Sequence, residues 1–404
     1  MIKVAIVGGA GHVGLPLGLA LAGSGLMVTA IDIDENKVKQ INEATMPFKE
    51  EGAENLLRSV IESGHFRAST EKSEIGEADF IVLVLGTPVD EHGNPDAINL
   101  EVSISPYMPF LKQGQHVLLR STVFPGVFKL LERKLELIDE TISLSYCPER
   151  ISQGNALNEL HRLPQIIGAR SKEVFGKASS LFSILGCETI WISPEEAELA
   201  KLFTNTWRYL KFAIANEFWT ISNSLNLDYE NIRKALIYDY PRANDLPKAG
   251  FAAGPCLLKD TMQLDMSFHG KFQLGHAAIS VNEGLPHLIV EIMMKNYQLD
   301  QMRVGLLGAA FKPNSDDIRS SLSFKLRKLL RLHAKQVLIS DPYVQNDSRI
   351  VPLNYLLQNS DVLIICTPHS VYLNMNFDLP LINVFESKSQ SKIILNQVQY
   401  EEKQ

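Results

Sequence analysis

Apolar positions along this chain fall into short runs separated by amphipathic stretches, and the spacing changes character three times. Ile2 to Val7 is too short for a buried helix and predicts a central parallel strand. Leu15 to Ala22 then fits a helix laid on the sheet, and Met27 to Ile31 a second strand ending at Asp32. "ADFIVLVLGTP" (78–88), "QHVLLRSTVFPG" (115–126) and "ISLSYCPER" (142–150) each read as a buried strand running into a loop. Helical spacers lie between them, the alternation of a doubly wound α/β domain.

From Glu195 to about Asn226 the pattern turns long and helical, with Pro194 ahead of an acidic first turn. Leu199, Leu202, Phe203, Leu210, Ala213, Ile214 and Phe218 recur at mostly three- and four-residue steps. Such a helix serves as a spine between domains, as a dimer interface or simply as a core helix. After Asp300 the α/β pattern returns: "MRVGLLGAAF" predicts strand and turn, "SSLSFKLRKLLRLH" a helix, "KQVLISDP" a strand ending at Asp341. "SDVLIICTPHS" (360–370) echoes 78–88 in its order of acid, apolar strand and Thr-Pro. The basic run 325–335 predicts the solvated face of an amphipathic helix whose Leu322, Leu326, Leu329 and Leu330 pack inward. The expected fold is α/β, with two Rossmann-like doubly wound domains joined by a long central helix and a helical middle domain. The expected boundaries are 1–194 for the first Rossmann-like domain, 195–299 for the helical middle domain and 300–404 for the second Rossmann-like domain.

Composition narrows the picture. The 404 residues carry a net charge of -7, which argues against a dedicated nucleic-acid binder. Cys147, Cys187, Cys256 and Cys366 are scattered, without metal-ligand spacing, so thiols in a reduced cytoplasmic protein are expected and no metal. Val4 to Ile31 holds no formal charge, yet its seven glycines and Pro16 argue against a membrane span.

Gly9-Ala10-Gly11-His12-Val13-Gly14 follows a strand and opens a helix, and Asp32 ends the next strand 18 positions after Gly14. The glycines allow a tight turn and close approach of a diphosphate to helix N–H groups. Asp32 would accept from a ribose 2′-hydroxyl and repel a 2′-phosphate, which selects NAD; Asp34, past the strand end, is the alternative acid. In "AGFAAGPCLLKD", Gly254 and Pro255 place Cys256 at or near a helix N-terminus, where backbone N–H groups favour a thiolate. Asp260 lies one turn further along the same face and would hold a water or a cation. A buried structural cysteine is the plainer alternative. Lys201 and Asn205, one turn apart, form a polar patch that is either the wall of a site or a solvated stripe. Glu149 in "CPER" follows a strand end, as functional groups of doubly wound sheets do, or else pairs with Arg150 at the surface. An NAD site with an activated thiol suggests oxidation of an aldehyde through a thioester.

The ordered motifs "GxGxxG…D", "GTPVDEHGNPD", "STVFPG", "CPER", "AELAKLFTN", "AGPCLLKD", "AFKPNSDDIRSS" and "SDP" resemble the UDP-glucose/GDP-mannose dehydrogenase family over nearly the whole chain. The resemblance implies oxidation of the C6 hydroxyl of a nucleotide sugar to a carboxylate, with two NAD consumed, in a homodimeric enzyme that supplies polysaccharide biosynthesis. It implies Cys256 as nucleophile, Glu149 in activating the hydrolytic water, Lys201 and Asn205 at the oxyanion, and Asp260 ordering the water and Lys201. Lys37, Thr87, Thr122 and Arg319 match cofactor-contacting positions, beside Gly9, Gly11, His12, Val13, Gly14 and Asp32. Arg150, Lys248, Phe251, Phe311 and Lys312 match the nucleotide-sugar pocket, together with Glu149, Lys201 and Asn205. Arg242 matches an arginine supplied across the dimer, its alternative being a solvated loop residue. "CPER" resembles the UDP-N-acetylhexosamine branch (UDP-ManNAc or UDP-GlcNAc). UDP-glucose and then GDP-mannose are the alternative substrates. Gln153 replaces a second glutamate and takes no role, Ala252 and Ala253 depart from the usual glycine loop, and "LINVFES" lacks an Asp-x-Arg feature. Two other readings compete: a two-electron β-hydroxyacid-type dehydrogenase and a non-catalytic NAD-binding redox sensor.

Overall fold

The computed structural model describes residues 1–86, 102–345 and 347–383. Its chain divides into two compact units, Met1–Thr204 with Met262–His269, and Asn205–Thr261 with Gly270 onward.

The first unit is built on an eight-stranded sheet in the order β3-β2-β1-β4-β5-β6-β7-β8. The strands are β1 (Lys3–Val7), β2 (Met27–Ile31), β3 (Phe66–Ser69), β4 (Phe80–Leu83), β5 (His116–Leu119), β6 (Ser143–Tyr146), β7 (Gln165–Gly168) and β8 (Thr189–Ile192). All neighbours run parallel except β6 and β7, which meet antiparallel at Tyr146 and Gly168. Successive residues of β1 feed opposite faces: Val4 and Ile6 pack with Leu15, Leu19 and Phe66, while Ala5 and Val7 pack with Ile81, Leu83 and Val117. Burial on both faces is why β1 reads as an unbroken apolar run. The chain leaves β1 toward β2 on one side and returns as β4 on the other, so the carboxyl ends of β1 and β4 flank a crevice suited to a ligand.

The second unit carries a four-stranded parallel sheet, β10-β9-β11-β12, made of β9 (Arg303–Leu307), β10 (Gln336–Ser340), β11 (Val362–Ile365) and β12 (Leu381–Asn383). Helix Leu322–Leu330 turns Leu322, Leu326 and Leu330 inward, as the leucine spacing predicts. Among the described residues no helix is long and apolar enough to cross a membrane.

The long helix spans Pro194–Ser224 and begins with a reciprocal cap. The Ser193 hydroxyl accepts from the Glu196 backbone N–H, and Glu196 Oε2 accepts from the Ser193 N–H at 2.8 Å. Its apolar residues do not share one packed face. Leu202, Tyr209 and Ala213 are buried, whereas Phe203, Trp207, Ile214, Phe218 and Ile221 are exposed. Leu210 and Phe212 are half-buried and packed, so a core role accounts for part of the apolar positions, while the five exposed ones form an outward stripe.

Candidate active site

In the first unit the glycine turn closes against the end of β2. Gly8 and Gly9 donate to the Ile31 carbonyl at 2.8 and 3.1 Å, and Ala10 N–H donates to Asp32 Oδ2 at 3.0 Å. A Cβ on Gly14 would stand 2.5 Å from the Gly8 carbonyl oxygen, so only glycine lets helix Gly14–Gly23 start this close to the strand. Val13 occupies the N-cap, no side chain caps the helix and no acid sits in its first turn, which leaves the positive end to an anion. Among the described residues Asp32 accepts from the Ala10 and Asp34 N–H groups alone, and two such bonds leave its oxygens acceptor capacity for ribose hydroxyls. Asp34 is instead the N-cap of helix Glu35–Asn42, accepting from Lys37 N–H and lying 3.5 Å from the Lys37 ammonium. That bond chiefly holds its carboxyl below the ordinary range. The ring of His12 packs on Phe48 at 4.0 Å, and Thr122 is half-buried beyond β5. Thr87 lies outside the described residues. The turn, the bare helix end and the open acid fit a dinucleotide such as NAD.

Glu149 also belongs to this unit, and it is buried rather than at a surface. Its partner is Arg120, itself fully buried, whose Nε donates to Glu149 Oε2 at 2.8 Å. The other oxygen accepts from the Arg150 and Ile151 backbone N–H groups at 2.7 and 2.9 Å. Arg120 also donates to Gln165 Oε1 at 3.2 Å and lies over the Phe182 ring. The alternative reading, a surface pair with Arg150, gives way to a buried pair with Arg120, while the Arg150 guanidinium donates to the Pro164 carbonyl. Arg120 was missed because it follows an apolar strand and meets an acid 29 residues away. Burial lowers the pKa of Arg150, against the opposing pull of Glu149.

The second unit holds the thiol. Helix Leu257–Ser267 follows Cys256, whose carbonyl accepts the first intrahelical bond from Asp260 N–H at 2.8 Å. Cys256 is therefore the N-cap residue, and it is exposed. Cys147, Cys187 and Cys366 are buried, the fate of structural thiols. Gly254 has φ +106°, and a Cβ there would lie 2.6 Å from the Phe311 ring. Asp260 is fully buried, and its Oδ2 accepts from the Asn205 amide at 2.5 Å. The Lys259 ammonium is 3.3 Å from Asp260 Oδ1, but outside hydrogen-bonding geometry. Lys201 and Asn205, one turn apart on the long helix, are both buried, so they are not a solvated stripe.

Arg319, exposed, forks onto Asp317 with contacts of 2.6 to 3.1 Å. That carboxylate pushes the guanidinium pKa up, with a smaller push from Cys256 in the same unit. Phe251 packs on the sheet core of the second unit, and Phe311 and Lys312 are half-buried. Lys248 and Arg242 are exposed, Arg242 with its guanidinium 5.1 Å from the Tyr240 ring centre.

Three segments match models of the UDP-glucose/GDP-mannose dehydrogenase family: its NAD binding domain over 2–185, its central domain over 195–284 and its UDP binding domain over 305–389. The UDP-N-acetyl-D-mannosamine dehydrogenase of Methanocaldococcus jannaschii is 30% identical over 397 residues, which cover 96% of this chain and 90% of that protein. The one from Methanococcus aeolicus is 29% identical, over 98% of this chain and 90% of its own length. Among solved structures, the UDP-D-ManNAc dehydrogenase of Pyrococcus horikoshii superposes with a TM-score of 0.88 at 25% identity, over 96% of each chain. A UDP-glucose dehydrogenase from Pyrobaculum islandicum also gives 0.88, at 24% identity, over 96% of this chain and 95% of its own, a likeness of fold alone.

Proposed function

From the premise that the chain belongs to the UDP-glucose/GDP-mannose dehydrogenase family of NAD-dependent nucleotide-sugar dehydrogenases, we propose that it oxidises the C6 hydroxyl of a UDP-N-acetylhexosamine to the carboxylate. UDP-N-acetylmannosamine is the first candidate, supported by the names of the relatives and by "CPER" at 147–150. The three family segments support a division into domains at 1–194, 195–299 and 300–404.

One observation carries the four-electron chemistry: Cys256 is an exposed N-cap thiol, with the buried Asn205–Asp260 pair one turn into its helix. NAD, when bound, supplies the acceptor for hydride. The glycine turn would hold its diphosphate and Asp32 its ribose, with Lys37, Thr87, Thr122 and Arg319 as further contacts. Loss of the C6 hydroxyl proton to solvent and of a first hydride gives the C6 aldehyde; the Cys256 sulfur then adds to it, the carbonyl oxygen takes a proton, and a thiohemiacetal forms. Loss of hydride and of the hydroxyl proton gives a thioester, which water cleaves to carboxylate and thiol. Lys201 and Asn205 stabilise the oxyanion, Asp260 orders the water and Lys201, and Glu149, fixed by Arg120, orients the water. Arg150, Lys248, Phe251, Phe311 and Lys312 are assigned to the sugar nucleotide.

The outward stripe Phe203, Trp207, Ile214, Phe218 and Ile221 supports a homodimer through the long helix, with Arg242 supplied to the partner. The acidic sugar produced suits polysaccharide biosynthesis in the cytoplasm. The test is NADH yield across a panel of UDP- and GDP-sugars. Two NADH per sugar, best with a UDP-N-acetylhexosamine, is the expected result. One per sugar supports a hydroxyacid-type dehydrogenase, and none a redox sensor.

A further inference from the structure

The second unit reuses a feature of the first for another purpose. Asp341 follows β10 as Asp32 follows β2, and it meets the turn after β9 as Asp32 meets the glycine turn. Whereas Asp32 accepts from two backbone N–H groups, Asp341 is saturated. Its Oδ2 accepts from Ala309 and Ala310 N–H at 2.7 and 3.0 Å, and its Oδ1 from Tyr343 and Val344 N–H at 2.9 and 3.2 Å. The fifth donor is His369 Nε2, 3.0 Å from Oδ2, with both side chains fully buried. A carboxylate so surrounded has no lone pair left for a ribose.

His369 itself is held in one tautomer. Its Nδ1 lies 2.9 Å from the backbone nitrogen of Asn314, which can only donate, so Nδ1 is the acceptor and Nε2 carries the hydrogen. Tyr343 and Tyr372 face the ring edge-on at 5.1 and 5.6 Å. Asn314, at φ +58°, closes the link from the other side: its Oδ1 accepts from the Ser370 N–H and hydroxyl at 3.1 and 3.0 Å. The loop between Ala310 and Ser321 is thus tied at its start by Asp341 and at its middle by His369. That loop carries Phe311, whose N–H donates to the Asp317 carbonyl at 2.9 Å and whose ring closes on Gly254, two residues before Cys256.

We propose that His369 is a positioning residue for nucleotide-sugar binding: its neutral imidazole ties the Asp341 carboxylate to the Asn314 peptide and so fixes the loop that presents Phe311 and Lys312. The inference rests on the proposed function, which assigns those two residues to the sugar nucleotide. It is independent of Cys256 chemistry.

Two substitutions separate the two ring nitrogens. In His369→Asn the side-chain oxygen replaces Nδ1 and still accepts from Asn314, while Asp341 keeps its four backbone donors. In His369→Gln the amide replaces Nε2, and the Asn314 N–H is left without a buried acceptor. The experiment measures UDP binding by calorimetry, KM for UDP-N-acetylmannosamine and for NAD, and amide exchange over residues 310–320. His369→Gln is expected to weaken UDP binding and raise the sugar-nucleotide KM about tenfold, with faster exchange in the loop and an NAD KM within about twofold of the parent. His369→Asn is expected to recover most of that loss. Equal losses in both variants, an NAD KM that rises in step, or unchanged UDP binding in His369→Gln would overturn the role. If His369→Gln does not fold, Ser370→Ala, which removes one Asn314 bond at an exposed position, replaces it. A smaller weakening of UDP binding supports the proposal, and none overturns it. A parent protein that binds no UDP sinks the functional reading itself, a result distinct from one in which the parent binds and the variants do not differ.

Discussion

Asn205 donates its side-chain amide to Asp260 Oδ2 at 2.5 Å, with both side chains buried. The bond joins the long helix to the helix that Cys256 caps, so a packing role and a chemical role overlap in one contact. They separate in two variants. Asp260→Asn keeps an oxygen for Asn205 and replaces Oδ1, which makes no hydrogen bond, with an uncharged amide nitrogen; it is expected to hold stability within about 1 kcal/mol while turnover falls at least tenfold. Asn205→Ala leaves a buried carboxylate without its donor and is expected to cost about 1–3 kcal/mol in urea unfolding as well as activity. Matching stability losses in both variants would assign the pair to packing alone.

Cys256 differs from the other thiols in access. Burial pushes Cys147 up to about 12 and raises Cys187 and Cys366 as well, whereas Cys256 is exposed. Native protein treated with iodoacetamide is expected to modify Cys256 first, with the other three reacting only after unfolding, as read by peptide mass mapping. Cys256→Ser is expected to release at most one NADH per sugar or to trap an ester, with steady turnover down by more than about a hundredfold. Full turnover by that variant would refute the nucleophile assignment.

The strands buried on both faces were legible as apolar runs, and Met27–Ile31 begins and ends where the pattern places it; the short strands Phe66–Ser69, Gln165–Gly168, Thr189–Ile192 and Leu381–Asn383, several of them partly exposed, gave no such signal. The thiol helix was legible too, since Gly-Pro before Cys256 carries a start signal in the local sequence. Pairings across the fold were not. Arg120 reaches Glu149 over 29 residues and His369 reaches Asp341 over 28, and no periodicity links residues so far apart. The same holds for Glu198, whose carboxylate caps helix Val127–Ile138 through Gly126 and Phe128 N–H groups 70 residues or more upstream. The long helix shows the converse limit: three- and four-residue spacing identifies a helix but not which apolar positions, Leu202 or Phe203, find a covering neighbour.

Gly254 is a backbone requirement with a steric one added. Its φ of +106° disfavours any L side chain, and a Cβ would meet the Phe311 ring at 2.6 Å. Gly254→Ala is expected to destabilise the protein by about 2–4 kcal/mol and to displace the loop leading to Cys256. Urea unfolding measures the first effect, and a changed rate of iodoacetamide reaction at Cys256 the second. A variant with parental stability would show that this turn is not held as described.

His116 supplies a prediction about acid. It is buried in the first unit, with Nδ1 2.7 Å from the Ser143 hydroxyl and Nε2 2.9 Å from that of Ser145. Burial, helped by the Lys177 charge, lowers its pKa to about 3. The ring thus stays neutral in the fold, while the unfolded chain takes up the proton below about 6.5. Between those two values the unfolded state binds more protons, so stability falls as pH drops, by up to about 1.4 kcal/mol per unit; above about 6.5 the group contributes no slope. His116→Gln removes the titration. The parent is therefore expected to lose about 2 kcal/mol more than the variant between pH 6.5 and 5, measured as the difference in urea unfolding free energies. Equal losses in the two proteins over that interval would mean that His116 is already charged in the folded state, or that its site opens well below global unfolding.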